Sequence, residues 1–179
     1  ELYAVWAWAP IMLLVSYKEA GLSEQMARFA AFGLFVTGAF GSTLAGIYAD
    51  RLGRTRITAV ALAISGVCCA VVGLIIHQPI LLTIVCLLWG FAVIADSAQF
   101  SAAVSELADS SYVGTALQVQ TSLGFLLTLV TLQAMPFLVD TVGYEWAWLI
   151  LIPGPVFGIV SMLRLRSLPE AARMAQGNR

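Results

Sequence analysis

The chain has 179 residues, of which 60% are hydrophobic and 11% are charged, and its formal net charge is -1. Soluble domains carry about 25% charged residues, so this composition lacks the polar surface that a water-facing globule needs. The small net charge also provides no basic face that would attract nucleic acid. Composition therefore predicts a protein dissolved in lipid and excludes a large soluble domain.

Six apolar stretches, bounded by charged or turn residues, predict six transmembrane helices. Helices are required because a backbone in lipid must satisfy its own hydrogen bonds, and the sequence lacks the alternating pattern of barrel strands. About 20 helical residues cross the hydrocarbon, so the length suits about six spans. We predict an all-α fold, a single integral membrane bundle over residues 1–179. The expected helices cover residues 2–17, 29–49, 57–76, 80–107, 113–139 and 146–163, and residues 164–179 form a tail.

The first and sixth predicted helices are irregular. The first spans about 16 residues, which is short for the hydrocarbon thickness. We therefore expect its start to lie upstream of Glu1, in a longer protein. Pro10 in the first helix and the Pro153-Gly154-Pro155 group in the sixth predict kinks or breaks, which serve either transport or packing.

Lysine and arginine residues predict the orientation, because they concentrate on the cytoplasmic side of membrane proteins. Lys18 and Arg28 lie on one side of the expected bundle. The other side carries Arg51, Arg54, Arg56, Arg164, Arg166, Arg173 and Arg179. We therefore expect a multi-pass protein of the inner cell membrane with both chain ends in the cytoplasm.

Residues 46–56 read GIYADRLGRTR and connect the second and third predicted helices. This segment resembles the cytoplasmic loop signature of the major facilitator superfamily. Thr55 departs from the pattern, because a second basic residue is usual there, and Arg56 restores that charge one position later. The residues that match the signature are Gly46, Asp50, Arg51, Gly53 and Arg54.

The resemblance implies that the chain is half of a twelve-helix transporter. In this family the loop signature latches the two halves together in the outward-facing state, which implies a gating role for Asp50, Arg51 and Arg54. The alternative is that these arginines only set the topology. Gly38, Ser42 and Gly46 recur at four-residue intervals and predict a face of the second helix on which another helix packs closely.

Two features favour the C-terminal half of such a transporter. The fourth predicted helix contains Asp96 and no arginine, and the fifth contains no Gly-Pro pair. The implied partner is then the N-terminal six-helix half of the same transporter. Residues 164–179 fit a cytoplasmic end or, alternatively, a cut central linker. The start of the chain and the residues around Asp96 are also loosely similar to bacterial cyanate and nitrate/nitrite facilitators.

Asp96 is the only acidic residue that lies well inside a complete predicted span. A charged group is costly there and therefore indicates function. Asp96 shares a helical face with Gln99. We expect Asp96 to carry a coupling proton or to bind substrate by hydrogen bonds; alternatively, it is a structural residue satisfied by the backbone or by Ser97. The candidate pathway residues are Glu1, Tyr3, Trp6, Asp96, Gln99 and Gln118.

The sequence offers no arrangement typical of an enzyme. Its one histidine, His77, lies in a polar turn, and no nucleophile, zinc-binding or paired-acid motif accompanies it. Cys68, Cys69 and Cys86 lie in apolar stretches, where a thiol packs as a small hydrophobe. We expect no catalytic residue, metal or cofactor. The predicted function is half of a secondary active transporter for a small solute, with an anion as one candidate; the alternatives are a six-helix channel subunit or a membrane scaffold.

Overall fold

Long helices make up nearly all of the computed structural model, which describes residues 1–178; Arg179 lies outside the described residues. No strand occurs within residues 1–178, so the predicted all-α class is confirmed. Two short 3-10 turns, Pro169–Arg173 and Ala175–Gly177, follow the last long helix. The long helices are α1 (Leu2–Glu19), α2 (Glu24–Leu52), α3 (Arg54–Ile75), α4 (Pro79–Leu107), α5 (Val113–Val142) and α6 (Tyr144–Ser167).

Within residues 1–178, five helices, α2 to α6, are long and apolar enough to cross a membrane. Their outer surfaces carry large hydrophobic side chains, among them Phe29, Leu127 and Phe157, which are 67%, 70% and 75% exposed. An apolar surface of this extent suits lipid and would aggregate in water. The chain is therefore a multi-pass membrane protein.

The helices extend beyond the predicted apolar stretches at several ends. α2 begins at Glu24, where the hydroxyl of Ser23 accepts a hydrogen bond from the Gln25 backbone N–H at 3.2 Å. Its first turn is polar, with Glu24 and Arg28 paired at 3.5 Å. A search for apolar residues places the start later, at residue 29, because it cannot detect a polar helical turn outside the hydrocarbon.

Glycine lets α2 and α4 pack backbone to backbone. A Cβ atom added at Gly41 would overlap the Phe91 carbonyl, and one at Gly90 would overlap the Leu34 carbonyl. Gly38 also contacts α4, at Ile94 and Gly90. The packed face of α2 therefore rests on two glycines separated by three positions.

The predicted small-residue stripe on α2 is only partly correct. Gly38 packs against α4, but Ser42 is half-buried, and no described atom lies within 4 Å of a Cβ placed at Gly46. A strict four-residue interval drifts around a helix that has about 3.6 residues per turn. Steps of three and four together keep Gly38, Gly41 and Ala45 on one face.

Proline affects the two irregular helices differently. α1 runs through Pro10 without a break. α6 contains a 3-10 turn over Trp148–Leu151 and resumes as an α-helix at Pro153. A proline ring cannot continue the preceding hydrogen-bond pattern, but it fits the first turn of a new helix.

At the end of the bundle away from the loop signature, side chains tie the turns together. The Ser16 hydroxyl donates to the Ile76 carbonyl, and the Tyr17 and Thr83 hydroxyls are 2.8 Å apart. His77 lies 3.2 Å from Glu19. These contacts hold the end of α1 against the α3–α4 connection.

Candidate functional site

A buried arginine stands at the start of α3. Arg54 is 6% exposed, although it lies in the connection between α2 and α3. Its Nε donates to Glu106 Oε2 at 2.9 Å, and its Nη2 donates to Glu106 Oε1 at 2.6 Å. Two parallel bonds between a guanidinium and a carboxylate form a strong and geometrically specific pair. This pair joins the start of α3 to the end of α4.

Two further acceptors complete the surroundings of Arg54. Its Nη1 donates to Gln99 Oε1 at 2.5 Å, and its Nη2 donates to Asp50 Oδ1 at 3.1 Å. Asp50 belongs to α2, so one guanidinium connects three helices. Because a buried charge is costly unless it is paired and hydrogen-bonded, this geometry explains how Arg54 can lie inside the bundle.

Local backbone geometry puts Arg54 in this position. Gly53 ends α2 with a φ of 103°, a left-handed conformation that glycine adopts without a steric penalty. The chain turns there within a single residue, and Arg54 becomes the first residue of α3. Arg54, which follows Asp50 by four residues, therefore points back towards α4.

The loop signature divides into an inward and an outward part. Gly53 and Arg54 are buried, whereas Asp50, Arg51 and Arg56 are exposed. Gly46 is half-buried and faces open space. The structure thus brings Asp50 and Arg54 together and leaves the two other arginines free of this cluster.

The segment after α6 folds back onto the Arg54 cluster. Glu106 Oε2 accepts a hydrogen bond from the Ala175 backbone N–H at 3.1 Å. Asn178 Nδ2 donates to the Asp50 carbonyl at 2.7 Å, and Met174 is fully buried. Ala175 and the residue after it adopt positive φ values of 45° and 57°, which are unfavourable for side chains other than glycine. No pattern in the sequence predicted this docked tail.

Asp96 lies on the buried face of α4, as do Trp89, Val93, Gln99 and Ala103. It is 4% exposed, and its Oδ1 accepts a hydrogen bond from the Ser97 hydroxyl at 3.0 Å. Its Oδ2 is buried and has no hydrogen-bond partner among residues 1–178. One oxygen of this buried carboxylate therefore lacks a hydrogen-bond partner among the described residues.

Glu1 points into the interior between α3 and α4. Its Oε1 accepts hydrogen bonds from the Ser65 hydroxyl and from Trp89 Nε1, the latter at 3.1 Å. Cys69 Sγ lies 3.3 Å from the same oxygen. Trp89 Nε1 is also 3.0 Å from Ser65 Oγ, so the carboxylate is held by an intramembrane polar group.

The aromatic candidates on α1 form a separate group. The rings of Tyr3 and Trp6 are 5.7 Å apart, and Tyr3 lies 5.1 Å from Phe125 on α5. Trp6 also packs against Phe35 on α2 at 5.6 Å. Tyr3 is 39% exposed, so this group borders the open side of the bundle.

The six predicted pathway residues therefore do not converge on one point. Gln99 is engaged by Arg54, and Glu1 by Ser65 and Trp89. Gln118 is exposed on α5 and makes no side-chain hydrogen bond within the described part of the chain. Glu106 was missed as a partner of Arg54, although its charge and its position at the same end of the bundle were visible in the sequence.

Within residues 1–178, no group of three or more histidine, cysteine or acidic side chains could hold a metal ion. Cys68, Cys69 and Cys86 are free thiols buried in the bundle. The polar groups described above can bind protons and small polar solutes, and they can form ion pairs between helices.

Comparison with known proteins gives one result. The family model of the Major Facilitator Superfamily matches residues 2–179, which is the whole chain except its first residue. Comparisons with curated proteins and with solved structures give no match. Members of the matched family are transporters and not enzymes. The chain belongs to the Major Facilitator Superfamily.

Proposed function

We propose that this chain is the C-terminal six-helix half of a secondary active transporter, which moves a small solute across the inner membrane by alternating access. The observation that carries the proposal is the buried Arg54 of the loop signature, which pairs with Asp50 in the same segment and with Glu106 near the end of α4. A loop that only fixed topology would leave this arginine in solvent. Two halves that rock against each other need such rigid ends.

The sixth span in this proposal is α1. It packs between α2, α4 and α5, and its buried residues include Val5, Met12 and Leu13. The arginines around α2 and α6 put both chain ends in the cytoplasm under the positive-inside rule. α1 then runs outward, and α6 returns to the cytoplasmic side.

The surface that receives the N-terminal half is the open face of α5. Among the described residues of α5, only Met135 is buried, although the helix is 30 residues long. Its exposed face carries Gln118, and Tyr3 lies beside it through Phe125. A helix that covers so little of its own bundle is available to a neighbouring bundle, with the transport path between them.

The gate in this proposal uses Gly46 and Asp50 of the loop signature. Gly46 faces open space, and the side chain of Asp50 is 66% exposed. Both can approach the N-terminal half when the cytoplasmic side closes. The Arg54–Glu106 pair stabilises the position of the loop signature, because it holds the start of α3 against α4.

Asp96 is the residue that we propose for coupling or substrate binding. Its unpartnered Oδ2 distinguishes it from Gln99, which Arg54 already engages. A carboxyl group in a low-dielectric site binds a proton readily, and it donates a hydrogen bond when it is protonated. Asp96 can therefore serve a coupling proton or a solute, including an anion.

The test is uptake by the full-length transporter in proteoliposomes, with a panel of radiolabelled small anions and neutral solutes, with and without an inward proton gradient. Saturable accumulation against a gradient is expected, whereas flux that is linear in solute concentration would indicate a channel. Asp96→Asn should abolish uptake or its pH dependence. Ser105→Ala, on the same helix, should retain both, because the exposed Ser105 hydroxyl bonds only to the Ser101 carbonyl. Unchanged uptake and unchanged pH dependence in Asp96→Asn would contradict the role of this residue.

A further inference from the structure

An apolar cleft opens between α2 and α3, with α4 as its floor. Its volume is about 190 Å³. The cleft exists because alanine occupies the positions where the helices meet, and small side chains leave space that larger ones would fill. These alanines are Ala45, Ala61, Ala92 and Ala95.

The rim of the cleft faces outward from the bundle. Leu44, Tyr48 and Val60 form it, and they are 41%, 49% and 57% exposed. The cleft extends from Ile57, close to the start of α3, to Ile64 two turns later. It therefore lies between apolar helices, in the half of the bundle next to the loop signature.

Two arginines stand at the end of the cleft nearest the loop signature. Arg51 follows the rim residue Tyr48 by three positions, and Arg56 precedes the rim residue Val60 by four. Residues at these spacings share a helical face. Both arginines are exposed, and neither forms an ion pair within residues 1–178, in contrast to the buried Arg54.

We propose that this cleft binds one anionic phospholipid, with an acyl chain on the alanine floor and the headgroup phosphate between Arg51 and Arg56. An arginine fork matches phosphate oxygens, and long basic side chains reach the headgroup level from a helix end. The apolar lining excludes a polar solute from the cleft itself. This lipid site is separate from the solute path, and it does not depend on Asp96.

A second protein helix is the competing occupant, since small residues also line helix interfaces in membranes. Charge decides between the two occupants. An apolar helix packed over the rim would leave the charges of Arg51 and Arg56 without a partner, whereas a phosphate neutralises both. Lipid is therefore the occupant that fits both ends of the cleft.

Native mass spectrometry of the full-length transporter in detergent tests this proposal, with phosphatidylglycerol and phosphatidylcholine added in matched series. The wild-type protein should retain phosphatidylglycerol more tightly than phosphatidylcholine. In the double variant Arg51→Gln/Arg56→Gln, the dissociation constant for phosphatidylglycerol should rise tenfold or more, roughly what the loss of two basic residues near a lipid surface implies. Arg164→Gln, an exposed arginine on α6 at the same side of the membrane, should change it little.

A second variant addresses the acyl chain. Ala61→Leu fills the cleft without changing charge, and it should weaken phosphatidylglycerol binding while the melting temperature shows that the protein is folded. Equal retention of both lipids, an unchanged affinity in the double arginine variant, or an equal loss in Arg164→Gln would overturn the proposal. So would a stable dimer that Ala61→Leu dissociates, since it would assign the cleft to a protein helix.

Discussion

At the scale of single residues, Arg54 is the best-defined feature of the candidate site. Its guanidinium is nearly excluded from solvent and is surrounded by Asp50, Gln99 and Glu106. These acceptors are not equivalent, because Glu106 accepts two bonds from Arg54 and its side chain is 30% exposed, whereas Asp50 accepts a single bond and its side chain is 66% exposed. The stability of the cluster should therefore depend mainly on Glu106.

Glu106→Gln should destabilise the transporter, since it leaves the buried Arg54 charge without its bidentate partner. Breaking a buried pair costs a few kcal/mol, and the partial exposure of Glu106 reduces that cost to about 2 kcal/mol. Asp50→Asn is the matched control and should change stability by less than about 1 kcal/mol. Thermal unfolding of the full-length protein in detergent measures both. A larger loss from Asp50→Asn than from Glu106→Gln would refute this ranking.

The loop signature could be predicted from the sequence, but the cluster it forms could not. Helical spacing put Gln99 on the same face as Asp96, and the signature singled out Arg54. Which acid reaches Arg54 depends on how α3 and α4 pack, and residues 52 positions apart carry no local signal of their contact. Tertiary packing therefore had to supply Glu106 as the main partner.

At the scale of helices, glycine determines how closely α2 and α4 approach. Gly41 and Gly90 each lie against a backbone carbonyl of the other helix, which cannot move aside as a flexible side chain can. The sequence indicated a small-residue face and included Gly38 correctly. Strict four-residue spacing, however, selected Ser42 and Gly46 instead of Gly41 and Ala45. The apolar stretches identified the helices well, but the polar first turn of α2 and the docked 3-10 turns after α6 carry too few apolar residues to be found in that way.

Gly41→Ala should destabilise the full-length protein by about 2 kcal/mol, because the added methyl group overlaps the Phe91 carbonyl and forces α2 away from α4. Gly154→Ala on α6 is the control, since no described atom lies within 4 Å of a Cβ at that position. Alanine favours helix more than glycine does, so the control should be neutral or slightly stabilising. Equal melting temperatures for the two variants would show that α2 and α4 do not pack as described.

At the scale of the whole molecule, the bundle is well packed inside and unpartnered on one side. Trp89 and Trp148 meet edge to face at 5.2 Å in the interior, whereas Met135 is the one buried residue described on the 30-residue α5. This asymmetry suits a transporter half, because the open face of α5 becomes buried only when a second bundle packs against it. We propose that this second bundle is the N-terminal half of the same transporter.

The account rests on helices that cross the membrane in strict alternation, with the loop signature and the end of α6 on one side. The test uses a variant without the native cysteines, into which one cysteine at a time is introduced: Arg56→Cys, His77→Cys, Tyr112→Cys or Ser167→Cys. A membrane-impermeant maleimide applied to oriented vesicles then reports on which side each position lies. We predict that the cysteines at positions 56, 112 and 167 react from the cytoplasmic side. The cysteine at position 77 should react from the outer side. Reaction of the cysteines at positions 56 and 167 from opposite sides of the membrane would contradict the account.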